Sequence, residues 1–109
     1  MKIKNSEFEK YLSDSDKTLM DKYFIARNEK NFHKCLEILN KLNVPSYFHL
    51  GCIYHLGLQE FEKAEKFYLK AIENNDFDTL NNLANINRLE NKNFEKAEQF
   101  QMKAIDNEH

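Results

Sequence analysis

The chain has 109 residues, of which 16 are basic and 18 are acidic, so its formal net charge is −2. This balance excludes the strongly basic footprint of a nucleic-acid-binding domain, and the sequence offers no run of about 18 apolar residues that could cross a membrane. Two cysteines without a secretory context, Cys35 and Cys52, predict a reduced protein of the cytoplasm.

The whole chain, residues 1–109, is predicted to be one domain, long enough for about three helical hairpins. Residues 1–14 are predicted to form a short opening helix that covers one end. Ser6 and Glu9 have the spacing of a capping box, in which each side chain accepts a hydrogen bond from the other residue's backbone amide. The apolar side of this helix consists of Phe8, Tyr11 and Leu12.

Residues 15–43 are predicted to form a hairpin of two helices. Ser15 or Asp14 can cap the first helix, and Asn31 can cap the second, which is predicted over residues 32–42. The apolar residues of the first helix recur at helical spacing and are predicted to be buried: Leu19, Met20, Tyr23 and Ala26.

Residues 44–75 are predicted to form a second hairpin, and its second helix has the clearest pattern in the chain. In the segment FEKAEKFYLKAI, Phe61–Ile72, apolar residues recur at spacings of three, four and seven, which places them on one face of a helix. The single proline, Pro45, lies where the first helix of this hairpin begins and is tolerated there. Gly57 is expected to end that helix in the left-handed conformation.

The same segment recurs as FEKAEQFQMKAI, Phe94–Ile105, and the helix before it recurs at the same offset. Residues 76–109 therefore form a third copy of the unit, and residues 15–43 form a degenerate first copy. A two-helix repeat with a period in the low thirties is typical of an α-solenoid, in which each hairpin buries its apolar face against its neighbours. Ala64 and Ala71 are predicted at helix crossings, where a methyl group allows a close approach.

Six residues of the second hairpin carry a family resemblance: Leu50, Gly51, Tyr54, Ala64, Tyr68 and Ala71. Their pattern resembles the tetratricopeptide repeat, and the short step from Ala71 to Leu83 resembles the closely related Sel1-like repeat. The turn between the two helices is one residue longer than in a regular tetratricopeptide repeat. The resemblance implies an all-α fold, namely a right-handed α-solenoid of about three helix-turn-helix repeats with a short N-terminal helix.

The resemblance also implies a function, because such arrays bind protein partners in a concave groove lined by the first helix of each repeat. Carried over by position, the groove residues are Phe48, Cys52, His55, Asn81, Asn85 and Arg88. Side-chain amides can bind the backbone of an extended peptide, and Arg88 can bind a carboxylate through two hydrogen bonds. The alternative is that these are ordinary solvated positions. Chaperone-tail recognition by a carboxylate clamp is not predicted, because the additional groove lysines that it requires are missing.

A second interpretation is a structural assembly element. The last helix carries Phe100 and Met102, and no separate capping helix follows it. Association of the terminal hairpins, either with another copy of the chain or with a longer array, would cover these side chains. The sequence therefore leaves a homo-oligomer through the terminal helices as an alternative to the groove.

His49, Cys52 and His55 lie at positions i, i+3 and i+6 of one helix, and imidazole and thiolate are zinc ligands. The helix rotates the outer two apart, and no fourth ligand is evident, so neither a metal nor a cofactor is predicted. The sequence has no glycine-rich phosphate loop and no nucleophile with a base in a suitable context. We therefore expect a protein that is not an enzyme.

Overall fold

The computed structural model describes residues 12–73 and 79–106. Within these ranges the chain forms helices and no strand, which confirms the predicted all-α repeat fold. The α-helices are α1 (Asp14–Asn28), α2 (Phe32–Leu39), α3 (Tyr47–Cys52), α4 (Phe61–Glu73), α5 (Leu80–Asn85) and α6 (Phe94–Asp106). Helices α3 and α5 each continue directly into one π-helical turn, Ile53–Gly57 and Ile86–Glu90. The right-handed sense of the solenoid stays a prediction.

Two predicted features lie outside the described residues. They are the opening helix up to Tyr11, with its capping box of Ser6 and Glu9, and the connection 74–78 before the third repeat. Leu12, the last apolar residue predicted for the opening helix, is buried in the core.

The described helices pair in chain order into three hairpins, α1 with α2, α3 with α4 and α5 with α6. We call the first helix of each pair helix A and the second helix B. Consecutive hairpins stack, since α2 packs against α3 and α4 packs against α5. One apolar cluster joins α1, α2 and α3, and a second joins α3, α4 and α5. Each hairpin therefore buries its apolar face against its neighbour, as the repeat pattern predicts.

The turn between helices A and B contains one residue in the left-handed conformation in all three repeats. Lys30, Gln59 and Lys92, each two residues before helix B, have φ angles of 58°, 55° and 56°, in the left-handed region. The prediction that Gly57 adopts this conformation is wrong, because no glycine among the described residues has a positive φ. Packing requires the glycine instead, since a Cβ on Gly57 would lie 2.6 Å from ring carbon Cδ1 of Phe32.

The extra residue in the second and third turns is accommodated by the π-helical turns. In repeat one, the Asn31 N–H donates to the carbonyl of Ala26, five residues back, at 2.9 Å. In repeats two and three the equivalent bonds reach six residues back, from Glu60 to Tyr54 and from Asn93 to Asn87. Widening the last turn of helix A thus adds one residue and keeps the start of helix B in place.

The N-cap of α1 is Ser13, and not Ser15 or Asp14 as predicted. The Ser13 hydroxyl accepts a hydrogen bond from the backbone amide of Asp16 at 3.2 Å, which satisfies one of the free donors of the first turn. Asn31 caps α2 as predicted.

The fully buried carboxylate of Asp16 holds the connection between the first and second repeats. Its oxygens accept hydrogen bonds from the backbone amides of Asn43, at 3.1 Å, and Val44, at 3.3 Å. The side-chain amide of Asn43 donates a further bond at 3.3 Å. Hydrogen bonds to an ionised acceptor are strong, so this carboxylate fixes the linker against α1.

The buried side of α1 is close to the prediction, with Met20, Tyr23 and Ala26 buried and Leu19 half-buried. Helix α2 ends three residues before the predicted Leu42, because the amides of Lys41 and Leu42 bond only three residues back. The predicted end of helix α2 was wrong, whereas Leu42 is buried in the first apolar cluster although it lies beyond that end.

Candidate functional site

The candidate site is one face of the three A helices, which we call the A-helix surface. It is defined by Phe24, Arg27, Phe48, His55, Asn81, Asn85 and Arg88. Among the six groove residues predicted from the sequence, Asn81 and Asn85 are exposed, Phe48, His55 and Arg88 are half-buried, and Cys52 is buried. Five of the six are therefore accessible to a partner. Cys52, at 6 % exposure, packs in the second apolar cluster.

A chain of polar contacts lies beneath the middle of this surface. The Tyr68 hydroxyl donates to the Sγ atom of Cys52 at 3.6 Å, and it lies 3.3 Å from Nδ1 of His55. Burial lowers the pKa of His55, and Glu90 opposes that effect. Because this pKa is lowered from its usual value of 6.5, the His55 ring is neutral at pH 7.

An aromatic patch lies at the α1 end of the surface. The His49 ring contacts Phe24 and Phe48 edge-on, with centroid distances of 6.2 and 5.4 Å. Burial, aided by the Arg27 guanidinium, lowers the pKa of His49 to about 4, so the imidazole is neutral at pH 7. Its Nδ1 atom is hydrogen-bonded to the hydroxyl of Ser46. Phe24, 41 % exposed, gives this patch an accessible apolar side.

Two neutral side chains hold Arg88 in place. Nη2 donates to Oε1 of Gln101 at 2.6 Å, and Nη1 donates to Oδ1 of Asn85 at 3.5 Å. These partners orient the guanidinium without neutralising its charge. The contact between Arg88 and Gln101 has a counterpart in the second repeat, where His55 and Tyr68 occupy the same two positions.

Arg27 belongs to this surface, although it is missing from the predicted groove residues. It occupies in α1 the position that His55 and Arg88 occupy in the next two A helices. Its guanidinium is close enough to Tyr23 and His49 to lower the pKa of both. The sequence signal was present but obscured, because the offset between repeats one and two is shorter than the offset between repeats two and three.

The side chains of His49, Cys52 and His55 are engaged separately. His49 is bonded to Ser46, whereas Cys52 and His55 both contact the hydroxyl of Tyr68. Within residues 12–73 and 79–106, no three histidine, cysteine or acidic side chains are grouped as metal ligands. The arrangement is that of a packed polar cluster.

A second exposed feature is the outer side of α6, which we call the open face of α6, defined by Phe94, Met102 and Ile105. These side chains are 63 %, 58 % and 56 % exposed. Ile72, the equivalent of Ile105 in α4, packs against the second apolar cluster, to which α5 contributes. The part of the open face of α6 around Ile105 is therefore the side on which a further helix A would pack.

None of the helices in the described part of the chain combines the length and the hydrophobicity that a membrane crossing needs. A model of the tetratricopeptide repeat family matches residues 44–76 and 77–108, the segments that contain the second and third hairpins. Together these matches cover more than half of the chain. The comparisons with curated proteins and with solved structures found no match.

Proposed function

The chain belongs to the tetratricopeptide repeat family, and on this basis we propose that it binds an extended peptide or a helix of a partner protein on the A-helix surface. Repeats of this family are generally protein–protein interaction modules and are typically non-enzymatic. We also propose that the protein acts in the cytoplasm, since Cys35 and Cys52 are buried thiols that form no disulfide.

The observation that carries the proposal is the environment of Arg88. Its guanidinium is half-buried and bonded to the neutral oxygens of Asn85 and Gln101. A charge oriented in this way loses little freedom when it binds a ligand, because its side chain is already held in one geometry. Exposed Asn81 and Asn85 add amide groups that can bind a peptide backbone.

The aromatic patch supplies the apolar part of the contact. Phe24 and Phe48 flank the neutral ring of His49, and each keeps part of its surface exposed. Aromatic side chains bury a large apolar area at low cost in conformational entropy, which is why they often dominate binding energy. We expect an apolar side chain of the partner to pack there while its backbone contacts the amides of the third repeat.

Substitution of the polar residues of the third repeat tests this proposal. The variant Asn85→Ala with Arg88→Ala removes accessible groups and leaves Phe48, which packs against Tyr68, in place. A matched control is Glu62→Ala with Lys66→Ala, an exposed pair on α4. The immobilised wild-type protein and the control variant are expected to capture the same host protein. The variant Asn85→Ala with Arg88→Ala is expected not to capture it.

Circular dichroism must first show that both variants keep the wild-type helicity. If the variant Asn85→Ala with Arg88→Ala is folded and still captures the partner, the binding site lies elsewhere on the molecule.

A second candidate function, assembly through the end of the stack, is favoured by the open face of α6. Phe94 and Ile105 are exposed, whereas their equivalents Phe61 and Ile72 pack against the second apolar cluster, so this part of the open face could accept another helix. Light scattering after size-exclusion chromatography is the test, with Met102→Glu and Ile105→Glu as the variant. If the wild-type protein is a monomer at high micromolar concentration, self-assembly is excluded.

A further inference from the structure

We propose that the A-helix surface selects an acidic segment of its partner, with one glutamate or aspartate side chain bound at Arg27 and a second bound at Arg88. This inference rests on the proposed function and adds the chemistry of the ligand. It depends on a set of three equivalent residues, Arg27, His55 and Arg88, which we call the basic column. Arg27 and Arg88 are the two arginines of the chain.

The backbone hydrogen bonds of the turns establish that the members of the basic column are equivalent. In each repeat, the residue before helix B donates to a carbonyl near the end of helix A, and the acceptors are Ala26, Tyr54 and Asn87. Arg27, His55 and Arg88 directly follow these acceptors. Each repeat therefore places one basic residue at the same point of helix A.

The arginines of the basic column have no carboxylate partner within the described residues. The salt bridges found there use lysines, and they join Lys63 to Glu60 and Lys96 to Glu65. Helix α3 with its π-helical turn contains no acidic residue, and α5 with its π-helical turn contains one, Glu90. Glu90 acts on His55, and α1 carries three aspartates, but none of these carboxylates forms a salt bridge with either arginine of the column. An acidic ligand therefore meets two arginines that have no carboxylate partner in the described part of the chain.

Arg27 is the less engaged of the two arginines. In repeats two and three, helix B supplies a polar partner to the column, Tyr68 or Gln101. The same position in α2 is Leu39, which offers no acceptor. Arg27 therefore has no polar partner at this position of helix B, and its polar neighbour is Tyr23 of its own helix.

The Tyr23 hydroxyl lies close to Arg27, and burial and the guanidinium act on the pKa of the phenol in opposite directions. Tyr23 is fully buried, so its hydroxyl is shielded from a ligand on the surface. Burial raises the pKa of Tyr23 to about 12, an effect that the nearby Arg27 partly opposes, so the hydroxyl keeps its proton. A carboxylate bound at Arg27 would supply the missing charge partner.

The stacking of the A helices sets the distance between the two carboxylates. The rings of Tyr23 and His49 are in contact, with a centroid distance of 5.3 Å, and Cys52 and Leu83 belong to one apolar cluster. Helices α1, α3 and α5 are therefore neighbours. Since packed helices lie about 8–10 Å apart, Arg27 and Arg88 are on the order of 20 Å apart, which an extended chain spans with about six residues.

Fluorescence anisotropy with labelled peptides of about ten residues tests the inference. The first peptide carries two glutamates about six residues apart and an amidated C-terminus, and the second has glutamines in their place. A third has the glutamines and a free C-terminal carboxylate. The wild-type protein is expected to bind the glutamate peptide about tenfold more tightly than either other peptide.

Matched variants identify the groups responsible. Arg27→Gln with Arg88→Gln is expected to abolish the preference for glutamate, whereas Lys34→Gln with Lys66→Gln, on the B helices, removes the same charge and should keep it.

Four results would overturn the inference: equal affinity for the first two peptides, a preference that survives loss of both arginines, tightest binding of the free C-terminus, or no peptide binding at all. If neither amidated peptide binds but an oligothymidylate does so through the arginines, the column recognises phosphate instead. A captured partner that depends on Asn85 and Arg88 but contains no acidic pair would refute the acidic preference alone. The proposed function would then stand.

Discussion

The ring of Tyr68 lies directly against Gly51, so that a Cβ on residue 51 would be 2.5 Å from ring atom Cδ1. Helices α3 and α4 can approach this closely because the glycine has no side chain. In the third repeat the corresponding residues are Ala84 and Gln101. A larger residue in helix A is thus accompanied by the loss of the ring in helix B.

Gly51→Ala is expected to destabilise the protein by roughly 1–3 kcal/mol, because the added methyl group overlaps the Tyr68 ring. Alanine itself favours a helix over glycine by about 1 kcal/mol. The same substitution should therefore be neutral or stabilising once Tyr68→Leu has removed the ring. Urea denaturation of the wild type, both single variants and the double variant measures this coupling. Additive effects would show that the two positions do not compete for space.

Asp16→Ala is expected to lower the free energy of unfolding by about 3 kcal/mol, because two backbone amides lose a charged acceptor. Asp21→Ala, an exposed position on the same helix, is a matched control and should change the free energy by less than about 0.5 kcal/mol. Thermal and urea unfolding measure both. If the two variants are equally stable, the Asp16 carboxylate does not hold the linker.

His49 is expected to make stability depend on pH between about 6.5 and 4. Its pKa falls from 6.5 in the unfolded chain to about 4 in the folded protein, so the unfolded chain binds the proton first as the pH is lowered. The contribution of the neutral His49 ring to the free energy of unfolding is therefore complete above pH 6.5. It is lost on acidification, so that the free energy of unfolding falls by about 2 kcal/mol between pH 7 and pH 5.

Urea denaturation at the two pH values checks this expectation. His49→Gln should flatten the pH dependence, whereas His33→Gln, an exposed position on α2, should leave it as in the wild type. If His49→Gln keeps the wild-type slope, another group is responsible for it.

The sequence predicted the helices and their repetition well, because both depend on local spacing. The stripe in Phe61–Ile72 and its copy in Phe94–Ile105 correspond to α4 and α6. Contacts between residues that are far apart in the sequence could not be predicted from this local spacing. The carboxylate of Asp16 binds backbone amides 27 and 28 residues away, and Gly57 is small because of a ring that belongs to Phe32.

For the candidate site, the sequence predicted which residues lie on the A-helix surface better than it predicted what each side chain contacts. Asn85 and Arg88 are accessible, as a groove residue must be, and their role in binding stays a prediction. The burial of Cys52 was not predictable from its helical position, because it depends on the Tyr68 hydroxyl brought beneath it by α4. Arg27 was missed since the first repeat has a shorter turn, which shifts the alignment with the second repeat.

Ala64→Glu and Ala97→Glu are expected to damage the stack to different extents, although both alanines are buried and occupy equivalent positions. Ala64 lies in the cluster that joins α3, α4 and α5, so a carboxylate there should unfold most of the array. None of the described helices covers the open face of α6, and each hairpin contacts only its neighbours. Ala97→Glu should therefore release the last hairpin and leave α1 to α4 folded.

Circular dichroism melts should show little residual helix for Ala64→Glu and a partial loss for Ala97→Glu. Hydrogen exchange should locate that partial loss in α5 and α6. A melt unchanged from the wild type in either variant would contradict the close packing of the alanines. If both variants lose all protection together, the three hairpins unfold as one cooperative unit, because damage at the end of the stack would then reach its centre.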